Sequence, residues 1–220
     1  MKNWNWSFLF KTSLIIVLIS VSWFYVRKYL EHHHRTVISH DKKFVWFWNS
    51  KVGGNSIREV LRKNDTSATR DIYLSYKLHP DYFKFAFVRN PWDRAVSCYQ
   101  DKVVKERYKP FKECYGKDFD YFVDFLDRQN LKIADRHIKL QTSAIPVAEM
   151  DFIGRLENFD KDFACVLERL NIENTECPHK NASKHKHYSA YYTPRTQEII
   201  ARKYKADIDY FGYTFETVNP

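Results

Sequence analysis

Glycine is scarce, with five residues in a chain of 220. That excludes a glycine-rich linker and any collagen-like repeat. The four cysteines include no Cys-x-x-Cys pair, which argues against a dense disulfide scaffold and a clustered-cysteine zinc site. No Gly-x-x-x-x-Gly-Lys-Ser/Thr loop occurs, so the common nucleoside-triphosphate loop is missing. Acidic residues are too few to balance the basic ones, leaving a formal charge of +9. Such a surplus suits an anionic partner: nucleic acid, a phosphorylated nucleotide, an acidic polysaccharide or a membrane surface.

What is present begins with "SFLFKTSLIIVLISVSWFYV", Ser7 to Val26, in which Lys11 is the only charge. At ~1.5 Å per residue such a run crosses a bilayer. Trp4, Trp6, Trp23, Phe24 and Tyr25 supply aromatics at both ends, as an interfacial belt does. A cleaved signal peptide is the rival, with Ser20-Val-Ser22 as its small-residue site, but bulky aromatics follow. Length and belt favour an uncleaved anchor. The expected layout is a tail at 1–6, a transmembrane signal-anchor at 7–26, a polar stem at 27–42 and one catalytic domain at 43–220. The stem's triple histidine, His32 to His34, reads as a solvated stretch because adjacent histidines rarely converge on one ion. Sequons at Asn64 and Asn181 matter only in a glycosylating compartment.

From Phe44 onward strands alternate with helices, which predicts an α/β fold with a mainly parallel sheet. "FVWFW" (44–48) and "FKFAFV" (83–88) read as buried strands, and "DFIG" (151–154) as a short strand. Ser56 and Glu59 are spaced as a capping box. Asn90 is placed to cap a second helix, with Pro91 at its first position and Asp93 in its first turn. Helices are also expected at 119–129, at 159–170 and from Thr193-Pro194 to about Tyr204.

Two strand–loop–helix units carry chemistry. In "FVWFWNSKVGGNSIREVL" the loop offers backbone amides, Gly53 and Gly54 for close approach, Lys51 and a helix N-terminus, all suited to phosphate. In "FAFVRNPWDRAVSCY", Arg89 ends a strand where open α/β sheets bind ligands. Ser97 lies two turns into the next helix. Both side chains can hold one phosphate. The bland alternative pairs Arg89 with an acid such as Asp93 and leaves Ser97 as packing. Two such units suggest a ligand with two separated phosphate groups. A nucleotide kinase or NTPase with an atypical loop, and a non-enzymatic binder of polysaccharide or nucleic acid, are the competing classes.

The two loops resemble those of membrane-anchored carbohydrate sulfotransferases, the sulfotransferase-2-like group that includes chondroitin and HNK-1 enzymes and smaller microbial relatives. "NSKVGGNSIREVL" is similar to their 5′-phosphosulfate loop and "FVRNPWDRAVSCY" to their 3′-phosphate motif. "DRHIKLQ" (135–141), "DFIGRLENFDKDF" (151–163), "HKNASKHKHYSAYYT" (179–193) and "DIDYFGY" follow in family order. The first loop departs at Ser50, where the family commonly has proline, and at Asn55, where it has Thr or Ser.

The resemblance implies a P-loop-like three-layer α/β fold with helices flanking the sheet. It implies sulfuryl transfer from 3′-phosphoadenosine 5′-phosphosulfate to a carbohydrate hydroxyl, with no metal and no nucleic-acid partner. Lys51, Val52, Gly53, Gly54, Asn55 and Ser56 would hold the phosphosulfate, with Lys51 also stabilising the leaving oxygen. Arg89 and Ser97 would hold the 3′-phosphate. Arg155, Lys180, Ser183 and Lys184 would add nucleotide contacts. His137 is the preferred base and His79 its alternative. The implied location is a single-pass type II membrane protein, in the Golgi lumen if eukaryotic and at the cell membrane otherwise.

Overall fold

Five strands form one sheet in the order β3-β1-β2-β4-β5. The strands are β1 (Thr36–Ser39), β2 (Phe44–Phe47), β3 (Thr69–Asp71), β4 (Phe83–Val88) and β5 (Phe152–Arg155). The computed structural model describes residues 36–71, 77–173 and 186–217. The expected membrane span and the front of the stem lie outside them. Among the described residues no helix is long and apolar enough to cross a membrane.

The sheet is mixed. β2, β4 and β5 run parallel, whereas β1 pairs antiparallel with both β2 and β3. The expectation of a mainly parallel sheet therefore holds for the half that carries the two loops. The other half differs because a short turn joins β1 to β2, with Lys43 at φ 50, and a short turn joins only antiparallel neighbours. β1 also corrects the stem boundary. Thr36, Val37, Ile38 and Ser39 are all buried in the sheet, so the folded domain starts before residue 43.

Helices cover both faces. One layer holds α1 (Gly54–Asn64) and α4 (Phe159–Arg169); the other holds α2 (Pro91–Cys98), α3 (Phe119–Arg128), α5 (Pro194–Lys203) and α6 (Lys205–Phe211). Alternation along the strands sorts the core between them. Phe44, Trp46, Phe85 and Phe87 pack with Ile57, Val60, Phe163 and Val166. Val45, Phe47, Ala86 and Val88 pack with Trp92, Val96, Phe122 and Ile200. Burial on both faces explains why these strands read as continuous apolar runs.

Three of these six helices start on a side-chain cap. Asn90 accepts from the Trp92 amide, with Pro91 behind it and Asp93 in the first turn. Thr193 and Thr196 form a reciprocal cap before α5. The capping box expected at Ser56 and Glu59 is absent. α1 starts two residues earlier, after Gly53 in the left-handed region, and has no side-chain cap. Cys98, Cys114 and Cys165 are free thiols.

Candidate active site

The site is built where β2 and β4 end side by side. Beyond β2 the chain turns through Asn49, Ser50, Lys51, Val52 and Gly53 into α1. Lys51 takes φ 72 and Gly53 takes φ 76. A side chain on Gly53 would reach within 3.0 Å of Leu156, and one on Gly54 within 2.8 Å of the Trp48 indole nitrogen. Both glycines are thus required by the packing of the loop, whatever it binds. Val52 and Ser56 are buried, while Asn55 is exposed. α1 carries no side-chain cap and no acidic residue in its first turn. The Ser56 amide donates to the Gly53 carbonyl at 2.9 Å, which leaves the amides ahead of it and the helix's positive end for an anion.

A buried polar frame fixes the two strand ends. Asn49 donates to the Phe87 carbonyl at 3.2 Å and to Gln141 Oε1 at 2.8 Å. Gln141 Oε1 also accepts from the Arg89 amide at 3.0 Å, and its Nε2 donates to the Arg89 carbonyl at 2.8 Å. Arg94, almost fully buried, donates to the Ser50 carbonyl at 3.0 Å and the Lys139 carbonyl at 2.9 Å. Neither Arg94 nor Gln141 was singled out from sequence. An arginine on a helix and a glutamine opening a short helical turn, Gln141–Ala144, look solvated until the topology closes over them.

The Arg89 guanidinium grips Asp93 through Nε and Nη2, both at 2.8 Å, and its Nη1 donates to the Lys51 carbonyl at 3.2 Å. The acid partner weighed from sequence is therefore present. It leaves the arginine pointing at the first loop, and those contacts use three of the five guanidinium N–H groups. Ser97 is buried in α2, four residues beyond Asp93 and on the same helix face.

Lys51 reaches across to Asp101, Nζ to Oδ2 at 3.0 Å. Asp101 lies in a π-helical turn, Tyr99–Val103, that continues α2. Burial lowers the Lys51 ammonium from 10.5 to about 7, and the cations Arg89, Lys102 and Arg107 push the same way. The Asp101 carboxylate at 3.0 Å opposes this and favours the charged form. Lowering is the net direction.

His137 stands on the next segment. Its Nδ1 lies 2.8 Å from Asp135 Oδ1, and the Tyr108 hydroxyl donates to Asp135 Oδ2 at 2.6 Å. Burial works to raise the Asp135 carboxyl, but hydrogen bonds from His137 and Tyr108 outweigh it and hold it at about 2. An ionised carboxylate only accepts, so Nδ1 carries the proton and Nε2 is the lone-pair nitrogen. Burial lowers the His137 pKa, with Asp135 opposing. Lys102 lies over the Tyr108 ring at 5.4 Å and pairs with Asp101 at 3.1 Å, which links the histidine to the Lys51 cluster.

His79 lies away from the loops, whereas Arg155 ends β5 beside Val88, the residue before Arg89. His79 precedes β4, at the opposite end of the strand from Arg89, and stacks on Tyr82 at 4.5 Å. Six strand residues, roughly 20 Å, separate it from the loops. The Arg155 guanidinium contacts the Phe211 carbonyl and lies 4.8 Å from the Tyr213 ring, so it braces the chain's end. Lys180, Ser183 and Lys184 lie outside the described residues. Among the described residues no cluster of His, Cys, Asp and Glu is placed to hold a metal.

A model of the sulfotransferase family, Sulfotransfer_2, matches residues 19–214. The chain belongs to the sulfotransferase family. It is 28% identical over 236 residues to carbohydrate sulfotransferase 14 of Danio rerio, covering 85% of this chain and 64% of that one. The sulfotransferase-family chain thus spans just under two thirds of that relative's length. It is also 30% identical over 102 residues to an uncharacterized protein of Archaeoglobus fulgidus, covering 44% of this chain and 73% of the other. No solved structure matches it significantly.

Proposed function

We propose that the protein transfers a sulfuryl group from 3′-phosphoadenosine 5′-phosphosulfate to a hydroxyl of a carbohydrate. One observation carries the reading: the two strand-end loops are joined, Arg89 Nη1 to the Lys51 carbonyl at 3.2 Å. Cations suited to two phosphate groups of one nucleotide therefore share one rim. Family membership and the carbohydrate sulfotransferase among its relatives support the reaction class. They do not favour the kinase or the anion-binding alternative.

The residues fit such a donor. The uncapped start of α1, with Lys51, Val52, Gly53, Gly54, Asn55 and Ser56, takes the phosphosulfate end. Arg89 and Ser97 take the 3′-phosphate, and Arg155 shapes the wall beside them. Lys180, Ser183 and Lys184 are proposed as further nucleotide contacts. His137 Nε2 accepts the proton of the acceptor hydroxyl while Asp135 holds the imidazole. The acceptor oxygen forms the new S–O bond as the bond to the donor phosphate breaks. Lys51 meets the negative charge that grows on that phosphate oxygen. The run at 7–26 is proposed to anchor the enzyme as a type II membrane protein, in the Golgi lumen or at a cell membrane.

Titration calorimetry of the folded domain with 3′-phosphoadenosine 5′-phosphate tests the donor. Transfer of labelled sulfate to a glycan panel tests the reaction. Binding of the nucleotide without ATP binding, and labelled glycan, are the expected results. A folded protein that binds neither nucleotide and labels nothing overturns the reading.

A further inference from the structure

Asp101 collects cations from three segments. Its Oδ2 pairs with Lys51 at 3.0 Å and with Lys102 at 3.1 Å, its Oδ1 meets Arg107 Nη2, and its carbonyl accepts from Arg107 Nε at 2.9 Å. The residue is carried by the π-helical turn rather than by α2 itself, and such turns often mark functional positions. It follows Ser97 by four residues, as Ser97 follows Asp93. Asp93 holds the cation of the second loop and Asp101 holds the cation of the first, one on each side of the serine.

A carboxylate beside a site for an anionic donor is a cost to donor binding, because like charges repel. Its place here calls for a gain elsewhere. Lys51 has three N–H donors and Asp101 Oδ2 uses one, so the lysine can keep this partner and still face a ligand.

We infer that Asp101 is a positioning residue that aims the Lys51 ammonium and keeps it charged for the leaving oxygen. This rests on the sulfotransferase reading. Lys51 is faced by Asp101, Cys98, Arg89, Lys102 and Arg107, and Asp101 is the carboxylate among them. The Cys98 thiol is itself pushed up to about 12 by burial, so it stays uncharged and leaves the task to Asp101.

The Asp101→Asn variant keeps the shape and removes the charge. It should bind 3′-phosphoadenosine 5′-phosphate about three- to tenfold more tightly and turn over at least tenfold more slowly. The basic limb of its rate profile should move to lower pH, since the lysine then loses its proton sooner. Asp101→Glu should restore part of the rate. A readout independent of activity is NMR titration of the reductively ¹³C-methylated lysines, with Lys51 assigned by its loss in Lys51→Arg. The Lys51 signal should titrate at lower pH in Asp101→Asn. If Asp101→Asn does not fold, Arg107→Ala serves instead: a competing cation is removed, and Lys51 should titrate at higher pH. Unchanged Lys51 titration and superimposable rate profiles in these variants overturn the inference. Wild-type protein that neither binds the nucleotide nor transfers sulfate fails the underlying reading, while the lysine titration still decides the role of Asp101.

Discussion

Gln141 pairs with the backbone of Arg89 as a neighbouring strand would, accepting from its amide at 3.0 Å and donating to its carbonyl at 2.8 Å. The same Oε1 takes the Asn49 amide group at 2.8 Å. One fully buried side chain thus holds the end of β4 against the end of β2. Its own backbone is held in turn, with the amide donating to Asp207 Oδ2 at 2.8 Å. Gln141→Ala leaves the Arg89 and Asn49 groups buried without this partner. The expected cost is about 2–4 kcal/mol of stability, because orphaned buried polar groups lose their full solvation. Urea unfolding measures it. A midpoint within error of wild type would mean that water replaces the amide and the frame is dispensable.

Arg89→Ala should weaken binding of 3′-phosphoadenosine 5′-phosphate by about 1.5–3 kcal/mol, the worth of a charge-assisted contact. Ser97→Ala should weaken it by about 0.5–1.5 kcal/mol, as for a neutral hydrogen bond. Calorimetry on variants with wild-type melting curves gives both numbers. If the Arg89 variant binds normally, the bidentate contact to Asp93 at 2.8 Å is the whole purpose of that arginine.

The sequence made the parts with local causes legible. Continuous apolar runs marked β2 and β4 because both faces of those strands are buried. Asn90, Pro91 and Asp93 marked the start of α2 because capping is a matter of adjacent residues. β1 was hidden because "TVIS" is short and flanked by histidines and charges, so its partner strands decide its state. α1 begins at Gly54 because backbone geometry at Gly53 sets the turn, which a side-chain capping pattern cannot reveal. In the site, Lys51, Arg89 and His137 stood out by motif. Arg94, Asp101 and Gln141 did not, since their roles come from contacts with residues 44 or more positions away in the chain, or from the turn that carries them.

Lys51→Ala should lower turnover about 100- to 1000-fold, the loss typical of a preorganised donor to a developing oxyanion. Donor affinity should change far less, because the contact strengthens only as the leaving oxygen gains charge. Separate measurement of the nucleotide dissociation constant and of the single-turnover rate distinguishes the two. A large loss of affinity with a normal rate for bound enzyme would make Lys51 a ground-state phosphate anchor.

Tyr108 and Asp135 make the base sensitive to pH in a way that can be worked out beforehand. Asp135 is held at about 2 against an ordinary 3.8. A carboxyl depressed on folding contributes stability that is complete above the unfolded value and is lost as pH falls through the folded one. The window is therefore pH 3.8 down to about 2. Tyr108→Phe removes the 2.6 Å hydrogen bond to Oδ2, so the Asp135 pKa should rise. The variant should be less stable than wild type at neutral pH, and the gap should narrow as pH falls through that window. His137 is also lowered, but by a different cause: burial takes its pKa below 6.5, so it is neutral and competent as a base at pH 7. The acid limb of the rate profile should lie below pH 6.5. Asp135→Asn removes the carboxylate that favours the imidazolium. That limb should move to still lower pH while the plateau drops, because Nε2 is no longer fixed as the free nitrogen. His137→Ala should lose about 100- to 10,000-fold in rate with unchanged nucleotide affinity, and His79→Ala should lose nothing. A variant pair in which His79→Ala is dead and His137→Ala is active would remove the Asp135–His137 pair from the reaction and leave the nucleotide loops to stand alone.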